Sequence, residues 1–211
     1  MIVKICGIKT AAAAKMASEA GADCIGFVVA PSRRRIEPAA AAKICRSVNR
    51  VKKIGVFVDE EPAKVNAIAA ACGLDFVQLH GHETACYRQQ INYPVIKAFR
   101  VGEDFQPLAA ESYPAEMILL DSFLPGQEGG TGKTFFWEQA AATVRALKRP
   151  VILAGGLTAE NVSAGIELFH PMGVDVSGGV EENGEKSWIK IKRFMEAARR
   201  AERRLDDEKY T

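Results

Sequence analysis

Two reactive side chains each close a short apolar run of the chain. Cys6 follows Val3-Lys4-Ile5, and Asp121 follows Met117-Ile118-Leu119-Leu120. A thiol at a strand end suits a general base, because nearby helix N-termini can stabilise its thiolate. A carboxyl group at the rim of an apolar strand suits a general acid. The alternatives are a small buried hydrophobic residue for the cysteine and a cap or a rim ion pair for the aspartate.

Two glycine pairs follow later apolar runs. Gly155-Gly156 follows Val151-Ile152-Leu153-Ala154, and Gly178-Gly179 follows Ser177. Backbone N–H groups at such turns, together with a helix N-terminus, can bind an anion, so two successive pairs favour a phosphate site. The alternative is that these glycines only turn the chain after each strand.

Further polar residues end other apolar runs or lie in the loops beside them. Gln78 and His80 close the run that begins at Asp75, and Arg33, Arg34 and Arg35 follow the run that begins at Cys24. A guanidinium of this arginine run could bind a carboxylate or a phosphate through two parallel hydrogen bonds. The alternative is a solvated surface run.

The glycine-rich segment Gly129-Gly130-Thr131-Gly132-Lys133-Thr134 is similar to a nucleotide-binding loop. That motif requires a glycine five positions before Gly132, and Gln127 stands there. We therefore expect no nucleotide and interpret the segment as a lid over the site.

The chain alternates apolar runs with helical segments eight times. The runs begin near Val3, Cys24, Lys53, Asp75, Pro94, Glu116, Pro150 and Gly173. Helices are predicted to start near Thr10, Glu37, Asp59, Glu83, Val101, Phe136 and Thr158, and a last helix presents Trp188, Ile191, Met195 and Ala198 on one face. Apolar parallel strands need crossover helices, so eight such units predict a single (β/α)₈ TIM barrel. An open doubly wound sheet is the alternative, although a GxGxxG turn does not follow the first run.

Length and charge limit the class of protein. In this chain of 211 residues we expect one barrel domain over residues 1–198 and a charged helix end over residues 199–211. The formal net charge of +2 gives no global field for nucleic acid. No apolar run approaches the roughly 18 residues of a transmembrane helix. We expect no nucleic-acid or membrane partner, no signal peptide and a cytoplasmic location.

The five cysteines contain no Cys-x-x-Cys pair. An odd number without such pairs predicts neither a disulfide framework nor a zinc site. We expect Cys24, Cys45, Cys72 and Cys86 to be small buried hydrophobic residues.

Seven segments, in one order, resemble the phosphoribosylanthranilate isomerases of tryptophan biosynthesis. They are Lys4-Ile5-Cys6-Gly7-Ile8, Gly55-Val56-Phe57-Val58, Val77-Gln78-Leu79-His80-Gly81, Leu119-Leu120-Asp121, Gly129-Gly130-Thr131-Gly132, Ala154-Gly155-Gly156-Leu157 and Asp175-Val176-Ser177-Gly178-Gly179-Val180-Glu181. The resemblance extends from Val3 to about Phe194. It implies a barrel enzyme without cofactor or metal, a small phosphosugar as its partner, and a monomer or a homodimer.

The reaction that the resemblance implies is an Amadori rearrangement. N-(5-phosphoribosyl)anthranilate would become 1-(2-carboxyphenylamino)-1-deoxyribulose 5-phosphate. By resemblance, Asp121 would protonate the furanose ring oxygen and open it to a Schiff base. Cys6 would then remove the proton from C2′ of the sugar.

The same resemblance implies a set of binding residues. Arg34, or Arg35 in the alternative register, would face the anthranilate carboxylate. The other residues implied are Gln78, His80, and the phosphate-binding Gly155, Gly156, Ser177, Gly178 and Gly179. Two positions depart from the family: Lys9 stands where threonine is common, and Gly178 where a second serine is common. The first moves the helix cap to Thr10, and the second leaves phosphate more dependent on backbone N–H groups.

Two rival functions stay open at this point. Another phosphosugar barrel, such as a lyase or indole-glycerol-phosphate synthase, would use Lys97 or Lys4 as its working amine. That synthase is usually longer, and Lys97 lacks the acidic neighbours expected beside it. A barrel that only binds a phosphorylated metabolite is the other rival. Variants of Cys6 and Asp121 that bind a substrate analogue without turnover would separate catalysis from binding.

Overall fold

Eight parallel strands form a closed barrel in chain order in the computed structural model, which describes residues 1–101, 105–122 and 141–208. The last strand pairs with the first, with Val174 beside Val3, and this pairing closes the ring. The strands are β1 (Ile2–Cys6), β2 (Cys24–Val28), β3 (Lys52–Phe57), β4 (Phe76–Leu79), β5 (Val95–Val101), β6 (Met117–Ser122), β7 (Val151–Ala154) and β8 (Gly173–Val176). The predicted (β/α)₈ barrel is confirmed.

The barrel interior is filled by a compact apolar cluster. Its members are Cys24, Ile54, Ile96, Ala98, Leu119, Ile152 and Ala154, with Ile2 and Phe76 packed against them. Side chains alternate between the two faces of a strand, so residues two or four positions further along also point inward. By this alternation the inner face carries Lys4 and Cys6 on β1, Gln78 on β4 and Asp121 on β6.

A larger apolar cluster packs the helices onto the outside of the barrel. The helices are α1 (Ala11–Glu19), α2 (Pro38–Ser47), α3 (Pro62–Cys72), α4 (Ala85–Arg88), α5 (Pro107–Ser112), α6 (residues 141–146), α7 (Val162–Phe169) and α8 (Trp188–Glu208). The expected cap of α1 is present, because the Thr10 hydroxyl accepts a hydrogen bond from the Ala13 N–H at 3.1 Å. Gly73 ends α3 in the left-handed conformation that favours glycine.

Four predicted helix starts are wrong by two or more residues. Helix α5 begins at Pro107 and not near Val101, because Val101 is still part of strand β5. Helix α3 begins at Pro62, because Asp59 has a positive φ of 47° that a helix does not allow. Helix α4 covers only Ala85–Arg88 and is capped by Thr84. Helix α7 begins at Val162, because the Thr158 N–H donates to Asn161 Oδ1 and forms a turn first.

The last helix continues past the predicted end of the barrel domain. Helix α8 runs from Trp188 to Glu208 without a break at residue 198. Arg199 donates to the Met1 carbonyl and to Asp23, both at 2.7 Å, and Ala201 is buried. Trp188 was expected on the packed face, but it is 40% exposed. The division at residue 198 itself stays a prediction.

Two further expectations concern the burial of four cysteines and the predicted lid. Cys24, Cys45 and Cys72 are buried as expected, but Cys86 is exposed, because it lies on the short surface helix α4. The predicted lid around residues 129–134 and the first residues of the helix predicted from residue 136 lie outside the described residues. In the three described ranges, none of the helices is both long and apolar enough to cross a membrane.

Candidate active site

Cys6 and Asp121 lie at the same end of the barrel. Cys6 is the last residue of β1, and Asp121 is the residue before the last of β6. Only β7 and β8 separate these two strands around the ring. The carboxyl ends of barrel strands form the end at which such enzymes place their active sites. The predicted acid and base are therefore on the same rim.

The Cys6 thiol is held in a narrow space beside Gly26. Cys6 is 7% exposed. A Cβ atom at Gly26 would lie only 2.7 Å from its sulfur, so a side chain there would force the thiol to move. Burial raises the pKa of the Cys6 thiol, and the Lys4 and Lys186 ammonium groups oppose that effect. These two lysines are cations that favour the thiolate form, and the suggested contribution of helix N-termini stays a prediction.

Lys4 is a fully buried cation on the inner face of β1. Its Nζ donates to Asp175 Oδ2 at 3.0 Å and to Gln78 Oε1 at 2.9 Å. Burial alone would lower the pKa of Lys4, but the Asp175 carboxylate outweighs burial and raises that pKa above its usual value. Lys4 therefore stays charged and cannot act as a free amine nucleophile.

His80 connects the buried Gln78 to Asp121, the predicted acid. Its Nδ1 lies 2.9 Å from Gln78 Nε2, and its Nε2 lies 3.3 Å from Asp121 Oδ2. The Asp121 side chain is 35% exposed, so it is open to a ligand while one oxygen faces His80. The structure thus brings together Gln78, His80 and Asp121, as their positions at strand ends predicted.

Arg34 is the arginine of the loop after β2 that enters the site. Its Nε and Nη2 atoms donate to the two carboxylate oxygens of Glu181 at 2.6 and 2.8 Å. The Arg35 guanidinium instead contacts Glu37 at 3.1 Å and is half-exposed. Arg33 is 75% exposed at its side chain. Of these three arginines, Arg34 is therefore the one that pairs with Glu181 beside the turn after β8, and the choice between Arg34 and Arg35 for the carboxylate stays a prediction.

Glu181 holds two cations at once. Besides Arg34, it accepts a hydrogen bond from Lys186 Nζ at 2.8 Å. Burial by itself raises the pKa of Glu181, but the hydrogen bonds from these two cations outweigh it and lower that pKa to about 2. Lys186 also donates to the Ser177 carbonyl at 3.0 Å. This cluster fixes the turn after β8 against the loop after β2.

The glycine turns after β7 and β8 present backbone groups at the same rim. Gly155 and Gly156 have positive φ values of 87° and 62°, which glycine adopts most readily. Among the described residues, the Gly156 N–H group donates to no backbone or side-chain acceptor, and Gly178 and Gly179 open the short helical turn Gly178–Val180. The Ser177 hydroxyl donates to the Cys6 carbonyl at 3.1 Å. Backbone N–H groups are therefore the donors that these turns offer to an anion.

Comparison with known proteins identifies the family. A family model described as N-(5'phosphoribosyl)anthranilate (PRA) isomerase matches residues 3–197. The chain belongs to the phosphoribosylanthranilate isomerase family. It is 49% identical over 205 residues to the N-(5'-phosphoribosyl)anthranilate isomerase of Desulforudis audaxviator (strain MP104C), covering 95% of this chain and 98% of that protein.

Two crystal structures of phosphoribosylanthranilate isomerases are similar to this chain. The protein from Thermotoga maritima has a TM-score of 0.84 at 40% identity, covering 94% of this chain and 99% of that one. Another is a complex with reduced 1-(o-carboxyphenylamino)-1-deoxyribulose 5-phosphate. It has a TM-score of 0.83 at 38% identity, with 94% and 99% covered.

One departure from the phosphoribosylanthranilate isomerase pattern, Gly178, lies directly beside Arg34. A Cβ atom at Gly178 would lie 3.1 Å from Arg34 Nη2. That distance is tighter than most real Cβ contacts, so a side chain there would press on the guanidinium. Gly178 therefore leaves room for Arg34 in its pairing with Glu181.

The expectation that Lys97 lacks acidic neighbours is wrong. Its Nζ donates to Glu83 at 2.8 Å and to the Gly81 carbonyl at 2.6 Å, because the loop after β4 folds over β5. Lys97 alternates with Ile96 and Ala98, which fill the barrel interior, so it emerges on the opposite face. The Lys97 side chain therefore points away from Cys6 and Asp121. The working amine of the rival enzyme would have to lie in the barrel mouth.

Three residues of the candidate site, Asp175, Glu181 and Lys186, were not identified from the sequence, and Lys4 was considered only as the working amine of a rival enzyme. Lys4 and Asp175 share the inward face with Cys6 and Ser177, so the two-residue period could have revealed them. Glu181 and Lys186 flank a short β9–β10 hairpin (Glu181–Glu182 and Glu185–Lys186), and no local pattern marks them. In residues 1–101, 105–122 and 141–208, no cluster of three or more His, Cys, Asp or Glu residues could hold a metal ion.

Proposed function

We propose that this chain converts N-(5-phosphoribosyl)anthranilate to 1-(2-carboxyphenylamino)-1-deoxyribulose 5-phosphate by acid–base catalysis. One observation carries the proposal. A buried thiol and a partly exposed carboxyl group occupy the same rim of the barrel, on β1 and β6. Family membership gives the substrate, and this pair gives the chemistry that the rearrangement needs.

The first step is ring opening by Asp121. The protonated carboxyl group donates its proton to the furanose ring oxygen while the C1′–O bond breaks. The electron pair of the anthranilate nitrogen forms the C1′=N bond of a protonated Schiff base. His80 then faces the resulting carboxylate at 3.3 Å and stabilises it.

The second step is proton removal by Cys6. Its thiolate takes the proton from C2′, and the C–H electron pair forms a C1′=C2′ bond while the Schiff base nitrogen becomes neutral. The enol then tautomerises to the ketone. Burial raises the pKa of this thiol, and the Lys4 ammonium opposes that rise, so Lys4 favours the thiolate. Each group contributes roughly 10²–10⁴-fold to the rate when well positioned.

The remaining residues are proposed to bind the two anionic ends of the substrate. The Arg34 guanidinium has further N–H donors besides the two that bind Glu181. These remaining donors would bind the anthranilate carboxylate. The phosphate would lie on the turns that contain Gly155-Gly156 and Ser177-Gly178-Gly179. The second serine common in the family is absent there, so backbone N–H groups carry more of the phosphate contact.

We propose that the enzyme acts as a monomer or a homodimer. The proposed ligand is a small phosphosugar, and neither nucleic acid nor a membrane enters the mechanism. A phosphorylated substrate does not cross a bilayer unaided, and we therefore place the enzyme in the cytoplasm.

The test follows the loss of anthranilate-type fluorescence from freshly made phosphoribosylanthranilate. Wild type should accelerate that loss, and Cys6→Ser and Asp121→Asn should each reduce kcat at least roughly 100-fold. Cys86→Ser is the matched control, because Cys86 is an exposed cysteine outside the site. No acceleration by wild type would refute the proposal.

Binding of the reduced product analogue separates catalysis from binding alone. Both site variants should retain it within about tenfold, because Arg34 and the glycine turns are unchanged. Full activity in both variants would instead indicate a different acid and base.

A further inference from the structure

A chain of polar contacts crosses the barrel interior from β1 to β6. Lys4 Nζ lies 2.9 Å from Gln78 Oε1, and Gln78 Nε2 lies 2.9 Å from His80 Nδ1. His80 Nε2 then lies 3.3 Å from Asp121 Oδ2. Lys4 is 0% and Gln78 1% exposed, so both are shielded from bulk solvent.

Donor and acceptor chemistry fixes the direction of this chain. An ammonium group only donates, so the Gln78 oxygen must face Lys4. The Gln78 NH₂ group therefore faces His80 Nδ1 and donates to it. A proton on Nδ1 would place two donors against each other at 2.9 Å. His80 must then carry its proton on Nε2, the nitrogen that faces Asp121.

The ammonium that starts the chain is itself held in place. Lys4 donates to Asp175 Oδ2 at 3.0 Å, so the ammonium has a second fixed partner besides Gln78. Its Nζ and the Cys6 sulfur also lie 3.2 and 2.7 Å from the position that a Cβ atom of Gly26 would take. Lys4 is therefore next to the proposed base while it starts the chain that leads to the proposed acid.

We propose that Lys4 and Gln78 are positioning residues that hold His80 in the neutral, Nε2-protonated tautomer, with its N–H directed at Asp121. The role of Asp121 in this inference rests on the proposed function. The imidazole N–H occupies Oδ2, so the acidic proton of Asp121 resides on Oδ1, which is free to face the sugar. After that proton leaves, the same N–H stabilises the carboxylate. Neither Lys4 nor Gln78 needs to contact substrate for this role.

The isosteric variant Gln78→Glu tests the direction of the chain. One carboxylate oxygen can still accept from Lys4, but the other now faces His80 Nδ1 as an acceptor. His80 should therefore acquire a proton on Nδ1. Long-range ¹H–¹⁵N NMR of the full chain reports which imidazole nitrogens carry protons. Nδ1 should be unprotonated in wild type and protonated in Gln78→Glu.

Internal and matched controls accompany that spectrum. His82 and His170 lie outside the chain of contacts, so their signals should not change. Gln90→Glu makes the same substitution at an exposed position and should leave His80 as in wild type. Gln78→Met removes both hydrogen bonds at similar size, so His80 should then show a mixture of neutral tautomers. Protonated Nδ1 in wild type, or an unchanged Nε2 tautomer in both Gln78 variants, would overturn the inference.

Kinetics then connect the tautomer to the reaction. Gln78→Glu should lower kcat roughly tenfold or more, while binding of the reduced product analogue changes by less than about threefold. An unchanged kcat with a switched tautomer would overturn the positioning role. The spectrum needs no turnover, so an inactive wild type would refute the proposed function and leave the tautomer result to be judged separately.

Discussion

Replacing Glu181 by glutamine removes a negative charge while keeping the size of the side chain. Glu181 accepts hydrogen bonds from Arg34 at 2.6 and 2.8 Å and from Lys186 at 2.8 Å. The Lys186 side chain is only 3% exposed, so the variant leaves a buried ammonium without its carboxylate partner. We expect Glu181→Gln to be less stable and to hold Arg34 less firmly.

The pKa of Glu181 gives the size of this effect. Burial raises that pKa, but the hydrogen bonds from Arg34 and Lys186 outweigh burial and lower it from 4.5 to about 2. At about 1.4 kcal/mol per pKa unit, this corresponds to an upper limit of about 3 kcal/mol. Solvent screening at the partly exposed Arg34 reduces it to about 2 kcal/mol. In a chain of this length, that loss lowers Tm by roughly 4–8 °C.

The same pKa predicts how the effect depends on pH. The folded-state value is below the unfolded value, so the stabilisation is complete above about pH 4.5 and is lost as pH falls towards about 2. Urea unfolding of wild type and Glu181→Gln should differ by about 2 kcal/mol near pH 7 and by less than half of that near pH 3. Glu185→Gln, exposed on the same hairpin, should match wild type. Equal differences at both pH values, or none near pH 7, would refute the reasoning.

Two further substitutions test neighbouring parts of the structure. Gly26→Ala places a Cβ atom 2.7 Å from the Cys6 sulfur, so steady-state assays should show kcat at least roughly tenfold lower, and urea unfolding a loss of about 1–3 kcal/mol. Wild-type activity would contradict the tight fit. Glu83→Gln leaves Lys97 buried without its charge partner, so the free energy of unfolding should fall by about 3–5 kcal/mol with little change in KM. An unchanged free energy of unfolding would show that the Lys97–Glu83 ion pair does not stabilise the fold.

The fold followed from the sequence because parallel barrel strands are apolar on both faces. Runs such as Met117-Ile118-Leu119-Leu120 have no polar face, and each ends in a polar or glycine residue that the barrel brings to one rim. Helix starts were harder to place, because side-chain contacts decide several of them, and some of these contacts are distant in sequence. Glu83 shows this, because its carboxylate accepts hydrogen bonds from the N–H groups of Asp59 and Gly81 and from Lys97 instead of opening a helix.

Residues of the candidate site could be predicted where their position at the end of a strand is enough to place them at the rim. Cys6, Gln78 and Asp121 needed only their places near the ends of apolar runs. The partner of Arg34 could not be found in this way, since Glu181 is 147 positions away in the chain. A contact between two loops leaves no periodic signal in a single sequence, and only the closed barrel brings such residues together.

The most direct test of the account is a crystal structure of this chain with the reduced product analogue bound. We predict that the Cys6 sulfur lies within about 4 Å of C2′, a distance suited to proton transfer. We also predict that an Asp121 oxygen lies within hydrogen-bond distance of the oxygen on C4′, the former ring oxygen. An analogue bound with C2′ on the far side from Cys6, or with its phosphate beside Asp121, would contradict the account.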